Sequence, residues 1–279
     1  MATTTHETGT VRSGDVTLFY RRFGTPGGLP VLIAHGANYY DSHDWIEVAS
    51  ALAGGREIVA YDMRGFGESS WSASKDYSHD AQLADVAALI DHLGWSKTVF
   101  MGHSRGGGVA LLAAARLEGR AAALVLVDYS PAGGGHAPAP AGAKATIFPS
   151  AASALDAMSR DKAATTPARL DMILKPVPGG FVFRSRDPDF ANAVPTTPGW
   201  SAKIAAPEMW AELARVGPPT LIVRALRGAN YTHEILARVR SEFPRVVVNE
   251  LEAGHDVAGG APRALIASVH HFLATRVER

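Results

Sequence analysis

No cysteine occurs among the 279 residues, which excludes disulfides, thiolate metal sites and a cysteine nucleophile and removes any redox clue to compartment. An excess of either charge is missing as well. Lys+Arg and Asp+Glu both number 27, so no net field favours nucleic acid or an anionic membrane, and no basic stripe interleaves with aromatic residues. No apolar run approaches the roughly 20 residues that span a bilayer, and the polar start MATTTHETGTVRSGD lacks the apolar stretch of a signal peptide. No internal repeat is visible. These absences lead to the expectation of a cytoplasmic protein that acts on a small, fairly neutral molecule, with neither nucleic acid nor membrane as partner; a homodimer stays open.

What is present is enough apolar material for one large core: 47% hydrophobic against 19% charged residues. After a frayed start, VTLFYRRFG and LPVLIAHG read as strands, because β-branched and apolar residues cluster between glycine and proline punctuation. DWIEVASALA then reads as helix, REIVAYD as strand, and AQLADVAALIDHLG as a helix with Leu83, Val86, Ala87 and Ile90 on one stripe. KTVFMGH, GGGVALLAAARL and AALVLVD continue the alternation as strand, helix and strand. Strands that are apolar throughout, alternating with helices, imply a mostly parallel sheet of about eight strands covered on both faces, an α/β fold.

The pattern lapses from about Ser130 to Ala206, where PAGGGHAPAPAGAKA is too rich in Gly, Ala and Pro for regular structure and SAASALDAMSR and PARLDMILK read as short helices. An insertion over the site is expected here, with residues 131–206 as a cap and 1–130 together with 207–279 as the core domain. The stretch around 132–143 can bury little, so it is expected to be the most mobile part of the chain and to border the pocket entrance. Alternation resumes with APEMWAELARV, PTLIVRAL, HEILARVRSEF, RVVVNELE and a last helix opened by Pro262.

The most specific signal is Gly102-His103-Ser104-Arg105-Gly106 between an expected strand and an expected helix. In that context GxSxG is a nucleophile elbow, in which small residues on either side of the serine let strand and helix approach closely. A phosphate loop is a poor rival, since GHSRGGG lacks the lysine of GxxxxGK and the spacing of GxGxxG. Together with His35-Gly36, the string Asp62-Met63-Arg64-Gly65-Phe66-Gly67-Glu68-Ser69 and the late Gly254-His255-Asp256, the elbow makes the chain resemble the α/β-hydrolase family nearly end to end apart from the insertion. The resemblance implies that Ser104 attacks an electrophilic carbon and His255 moves the proton. It also implies that the backbone N–H of Arg105 holds the developing oxyanion with a second N–H from Ala37 or Asn38. It further implies a pocket lined by the oxyanion loop and elbow, where His35, Asn38, Tyr39, Tyr40 and His103 are substrate contacts or packed wall. No cofactor is implied.

The resemblance raises one difficulty. Relatives often carry the acid that orients the histidine just after the strand that follows the insertion, but LIVRALRGANYTHE offers no carboxylate before Glu234. Ends of neighbouring parallel strands lie only about 5 Å apart, so an acid closing the strand before the insertion reaches the same imidazole. Asp128 stands there, at the end of an apolar run where an ionised group is costly unless paired. Capping of the loop into Ser130-Pro131 is the bland alternative. Glu250 and Glu252 are weaker rivals, and Asp256 adjoins His255 too closely to orient its ring. The expected triad is Ser104, Asp128 and His255.

Asp62 and Arg64 read as ties for a loop beneath the site. His43, within Asp41-Ser42-His43-Asp44, lacks a second ligand pair, and helix capping explains the string, so no metal is expected. Met158, Met172, Ile173, Leu174, Phe181, Phe183 and Trp210 are apolar pocket wall or cap core. The chemistry that follows is a cofactor-independent serine hydrolase for an ester, lactone or related acyl bond of a small, largely apolar molecule. A cofactorless oxygenase or carbon–carbon bond hydrolase of the same fold, and a non-catalytic ligand receptor, are the alternatives. Aspartate at the elbow, as in the usual dehalogenases and epoxide hydrolases, is absent.

Overall fold

A computed structural model describes residues 5–36, 41–133, 147–158, 170, 173–183, 187 and 206–278. Its main sheet has eight strands in the order β1-β2-β4-β3-β5-β6-β9-β10: β1 Glu7–Ser13, β2 Val16–Gly24, β3 Val31–Ala34, β4 Glu57–Tyr61, β5 Thr98–His103, β6 Ala121–Val127, β9 Thr220–Ala225 and β10 Val246–Leu251. Strand β2 pairs antiparallel with both β1 and β4, and every later pairing in this sheet is parallel.

Parallel strands need helical crossovers, and the helices cover both faces. On one face lie α2 (His79–His92), α3 (Arg105–Arg116), α5 (Ala206–Arg215) and α6 (His233–Glu242); on the other lie α1 (Ile46–Leu52), α7 (Val257–Gly260) and α8 (Pro262–Phe272). Strand β6 shows why the strands lack polar alternation. Leu124 and Leu126 pack into the α2/α3 layer while Ala123, Val125 and Val127 pack into the α1/α8 layer, all five fully buried. Each buried Leu or Val of this kind contributes about 1.5–3 kcal/mol. Local signals set the helix ends: Ser78 caps α2 by accepting from Ala81 N–H at 3.1 Å, and Pro262 opens α8.

Two elements depart from the sequence reading. The start expected to be frayed forms β1, an edge strand whose largely exposed polar residues leave no apolar signature, turned back onto β2 at Gly14. Between β6 and β9, α4 (Ala151–Met158) is helical as expected, but Leu174–Val177 is strand β7, paired with β8 (Gly180–Phe183) across a turn with Gly179 and Gly180 at φ 90 and 145. The glycine pair was the available turn signal. Phe148, Ala154, Leu170, Ile173 and Leu174 form a small cluster distinct from the two main layers, so Ile173 and Leu174 pack among residues of the segment between β6 and β9. Trp210 instead stacks on Phe243 in the main core at 5.7 Å. Most of the stretch 132–143, with Met172 and the side chains of Met158 and Phe183, lies outside the described residues. Among the described residues no helix is long and apolar enough to cross a membrane.

Candidate active site

Ser104 stands in the turn between β5 and α3 at φ 50, ψ −120, a region that L-residues rarely adopt. The glycines of the elbow make that turn sterically possible. A Cβ on Gly102 would run into the Gly106 carbonyl, and one on Gly106 would meet the carbonyls of Ala34 and His35 at the end of β3. The turn lifts the serine above the carboxyl ends of β5 and β6, where its N–H donates to Val127 O at 3.1 Å. Arg105 is the first residue of α3, so its backbone N–H has no acceptor within the helix and lies at the positive end of the helix dipole.

The three residues that sequence reasoning grouped come together, although 151 positions separate Ser104 from His255. His255 Nε2 lies 3.0 Å from Ser104 Oγ, and His255 Nδ1 lies 2.7 Å from Asp128 Oδ2. A carboxylate can only accept, so Nδ1 carries the proton and Nε2 faces the serine as an acceptor. Asp128 follows the last residue of β6, is fully buried, and sits at φ 42, which aspartate tolerates better than most residues. Its Oδ1 accepts from Ala225 N–H at 3.1 Å, so the neighbouring strand β9 helps to hold it.

The rival acids are engaged elsewhere. Glu250 pairs with Arg224 at 2.7 Å and Glu252 with Arg227 at 3.1 Å, Asp256 caps α7 through Gly259 N–H, and Glu234 is exposed in the first turn of α6.

Two of the expected substrate contacts are corrected. His35 is fully buried, with Nε2 accepting from Met63 N–H at 2.9 Å and its ring edge-on to Phe66, so it braces the loop after β4 from within. His103 is 1% exposed, donates from Nε2 to His255 O at 2.7 Å, and packs between the rings of His255 (4.7 Å) and Trp45 (6.1 Å). It supports the His255 loop. Both were placed on the pocket wall because their loops border it, and sequence does not say which way a side chain points. Ala37, Asn38, Tyr39 and Tyr40 lie outside the described residues.

Beneath the site, Asp62 accepts from Ser42 N–H and Glu68 N–H at 2.7 and 2.8 Å, and burial, then Asp41, pushes its carboxyl up to about 6. Arg64 grips Asp85 with two hydrogen bonds of 2.7 Å. Asp41 caps the turn ahead of α1 by accepting from His43 N–H at 3.0 Å. Among the described residues no group of three or more His, Cys, Asp or Glu side chains could hold a metal. Sequence reasoning missed Asn230, whose Nδ2 lies 3.1 Å from Asp128 Oδ2, and Tyr231, whose hydroxyl donates to Tyr129 O. Burial and the Asp128 charge hold the Tyr231 phenol well above its usual range, so it remains a donor. The sequence signal for Asn230 is an amide in the loop that lacks a carboxylate.

A serine at a strand-to-helix elbow, hydrogen-bonded to an imidazole that a buried carboxylate also contacts, defines a class rather than a substrate. Residues 30–149 match the model of the alpha/beta hydrolase fold family. Lipase LipV of Mycobacterium tuberculosis (strain ATCC 25618 / H37Rv) is 30% identical over 284 aligned positions, covering 94% of this chain and 99% of the lipase. A non-heme chloroperoxidase of Streptomyces lividans is 40% identical over 126 residues, so the chain spans 45% of that relative's length and 44% of its own. The thioesterase domain from the curacin biosynthetic pathway superposes with a TM-score of 0.79 at 21% identity, covering 94% of this chain and 98% of that one, a likeness of fold alone. The chain belongs to the α/β-hydrolase family of enzymes.

Proposed function

We propose that the protein is a cofactor-independent serine hydrolase that cleaves an ester, lactone or related acyl bond of a small, largely apolar molecule through an acyl-enzyme on Ser104. The observation that carries the reading is the continuous hydrogen-bond line from Ser104 Oγ through His255 to Asp128, with steps of 3.0 and 2.7 Å. As Oγ bonds to the acyl carbon, His255 Nε2 takes the serine proton, and Asp128 stabilises the imidazolium. The carbonyl oxygen gains charge and is held by the Arg105 N–H, with Ala37 N–H proposed as the second donor. Collapse of this intermediate breaks the bond to the leaving oxygen, which takes the proton from Nε2. Water then attacks the acyl-enzyme, gives its proton to Nε2, and releases the acid while Ser104 Oγ recovers a proton. The balance of Lys+Arg and Asp+Glu at 27 each supports an uncharged substrate body, and the long match to a protein named a lipase supports acyl chemistry.

The test is labelling with a fluorophosphonate together with a screen of aryl and alkyl esters and lactones of graded size. Stoichiometric modification of Ser104, and a fall of about 10⁶ in kcat for Ser104→Ala as in serine proteases stripped of their nucleophile, are expected. An unlabelled Ser104, or a Ser104→Ala variant that keeps most of its turnover, overturns the acyl-enzyme and favours chemistry based on His255 without a nucleophile.

A further inference from the structure

Gly102 and Gly106 account for the elbow turn, yet two more glycines follow it. Gly107 and Gly108 weaken the first turn of α3, since glycine loses more backbone freedom on folding than alanine does. What they make room for is Tyr129. A Cβ on Gly107 would come 2.4 Å from Tyr129 Cβ, and one on Gly108 would come 3.3 Å from Tyr129 Oη. The ring therefore lies along the start of the helix that Ser104 opens, where Gly107 N–H donates to Ser104 O at 2.9 Å. Asp128 turns to His255, whereas Tyr129, the next residue, turns to the α2/α3 layer. Its backbone is pinned, because Tyr129 O accepts from the Tyr231 hydroxyl and Asp128 O from Asn230 Nδ2 at 2.8 Å. Phenylalanine would serve packing alone. The Tyr231 and Tyr77 hydroxyls donate to Tyr129 O and Asp187, but the Tyr129 hydroxyl bonds no described residue. Burial holds its phenol above the usual range, so it stays protonated and able to donate. The residue is only half-buried, which leaves it open to a ligand.

We propose that Tyr129 is a specificity-determining residue whose hydroxyl donates a hydrogen bond to an oxygen acceptor on the substrate, so that favoured molecules carry an ether, keto or hydroxyl oxygen a few bonds from the carbonyl that Ser104 attacks. The spacing follows from the helix. Gly108, beside the hydroxyl, lies four residues beyond Ser104, about 6 Å along the axis. A donor left unmade in a half-buried site favours a ligand that completes it over an isostere that does not. The place of the scissile carbonyl rests on the proposed acyl-enzyme; the claim that Tyr129 binds an acceptor does not.

The experiment uses pairs of alkyl esters in which one methylene, at successive positions of the acyl or alcohol chain, is replaced by an ether oxygen, which accepts a hydrogen bond and cannot donate one. The parent is expected to favour one ether ester over its all-carbon partner by about 5- to 10-fold in kcat/KM, the worth of one neutral hydrogen bond. Tyr129→Phe keeps the ring on its glycine seat and is expected to bring that ratio to about 1, through KM, because the acceptor is held equally in the ground and transition states. The same pairs made as ketones, with a methylene in place of the ester oxygen and so no bond for Ser104 to cleave, are titrated calorimetrically against both proteins and are expected to show the same preference in Kd. A parent that favours no ether member in either series overturns the proposal, as does a Tyr129→Phe variant that keeps the parent's ratio. A Tyr129→Phe variant that fails to fold also overturns it, because the hydroxyl would then serve the fold. A parent that hydrolyses no ester and takes no fluorophosphonate refutes the acyl-enzyme alone, and the ketone titrations then decide.

Discussion

Replacing Ser104 by glycine should stabilise the fold relative to replacing it by alanine, although both variants lose the hydroxyl. At φ 50, ψ −120 a residue with a Cβ carries backbone strain of about 1–3 kcal/mol, which Ser104→Ala retains and Ser104→Gly releases. Two terms oppose the gain. Glycine loses more backbone freedom on folding, about 0.5–1 kcal/mol, and the half-buried methyl forfeits less than the about 0.8 kcal/mol of a fully buried carbon. The net advantage is about 1 kcal/mol for glycine, a rise in Tm of about 2–4 °C for a chain of this size. The lost hydrogen bond to His255 is common to both variants and cancels. Thermal melts and urea titrations of the two proteins side by side measure the difference. A glycine variant less stable than the alanine variant would refute the idea that the elbow stores strain at Ser104.

Arg64→Met should cost about 3–5 kcal/mol in a urea titration, because it leaves Asp85, 1% exposed, as an unpaired buried charge, and Arg64→Met/Asp85→Leu should recover most of that loss; equal losses in single and double variants would contradict it. His79, pushed down to about 3 by burial and by Arg105 and Arg116, stays neutral in the folded chain while the unfolded chain binds a proton below about pH 6.5. Its contribution to stability is therefore lost as pH falls, about 2 kcal/mol between pH 7 and 5. Asp62, raised to about 6, works in the opposite direction between about pH 4 and 6, so the sign must be read by difference. Stability of His79→Gln relative to the parent should rise by about 2 kcal/mol from pH 7 to pH 5, and a difference that does not change with pH would exclude the histidine.

Much of this protein was legible in the chain because its strongest signals are local. Apolar strands alternating with amphipathic helices specify a sheet covered on both faces, as Leu124 to Val127 of β6 show. Gly102 and Gly106 mark a turn where backbones must nearly touch, and an aspartate closing an apolar strand asks for a partner whatever the fold. Strand β1 and the β7–β8 hairpin escaped because an exposed edge and a four-residue strand carry little periodicity. Only the tertiary structure decided matters of direction and of long-range neighbours. His35 and His103 stand in loops that border the site yet point into the protein, and Asn230 meets Asp128 across 102 positions of sequence. Loop composition can say that no acid follows β9. It takes the parallel register of β6 beside β9, with Val127 opposite Val223, to bring the loop beyond β9 and its Asn230 amide onto the carboxylate at the end of β6.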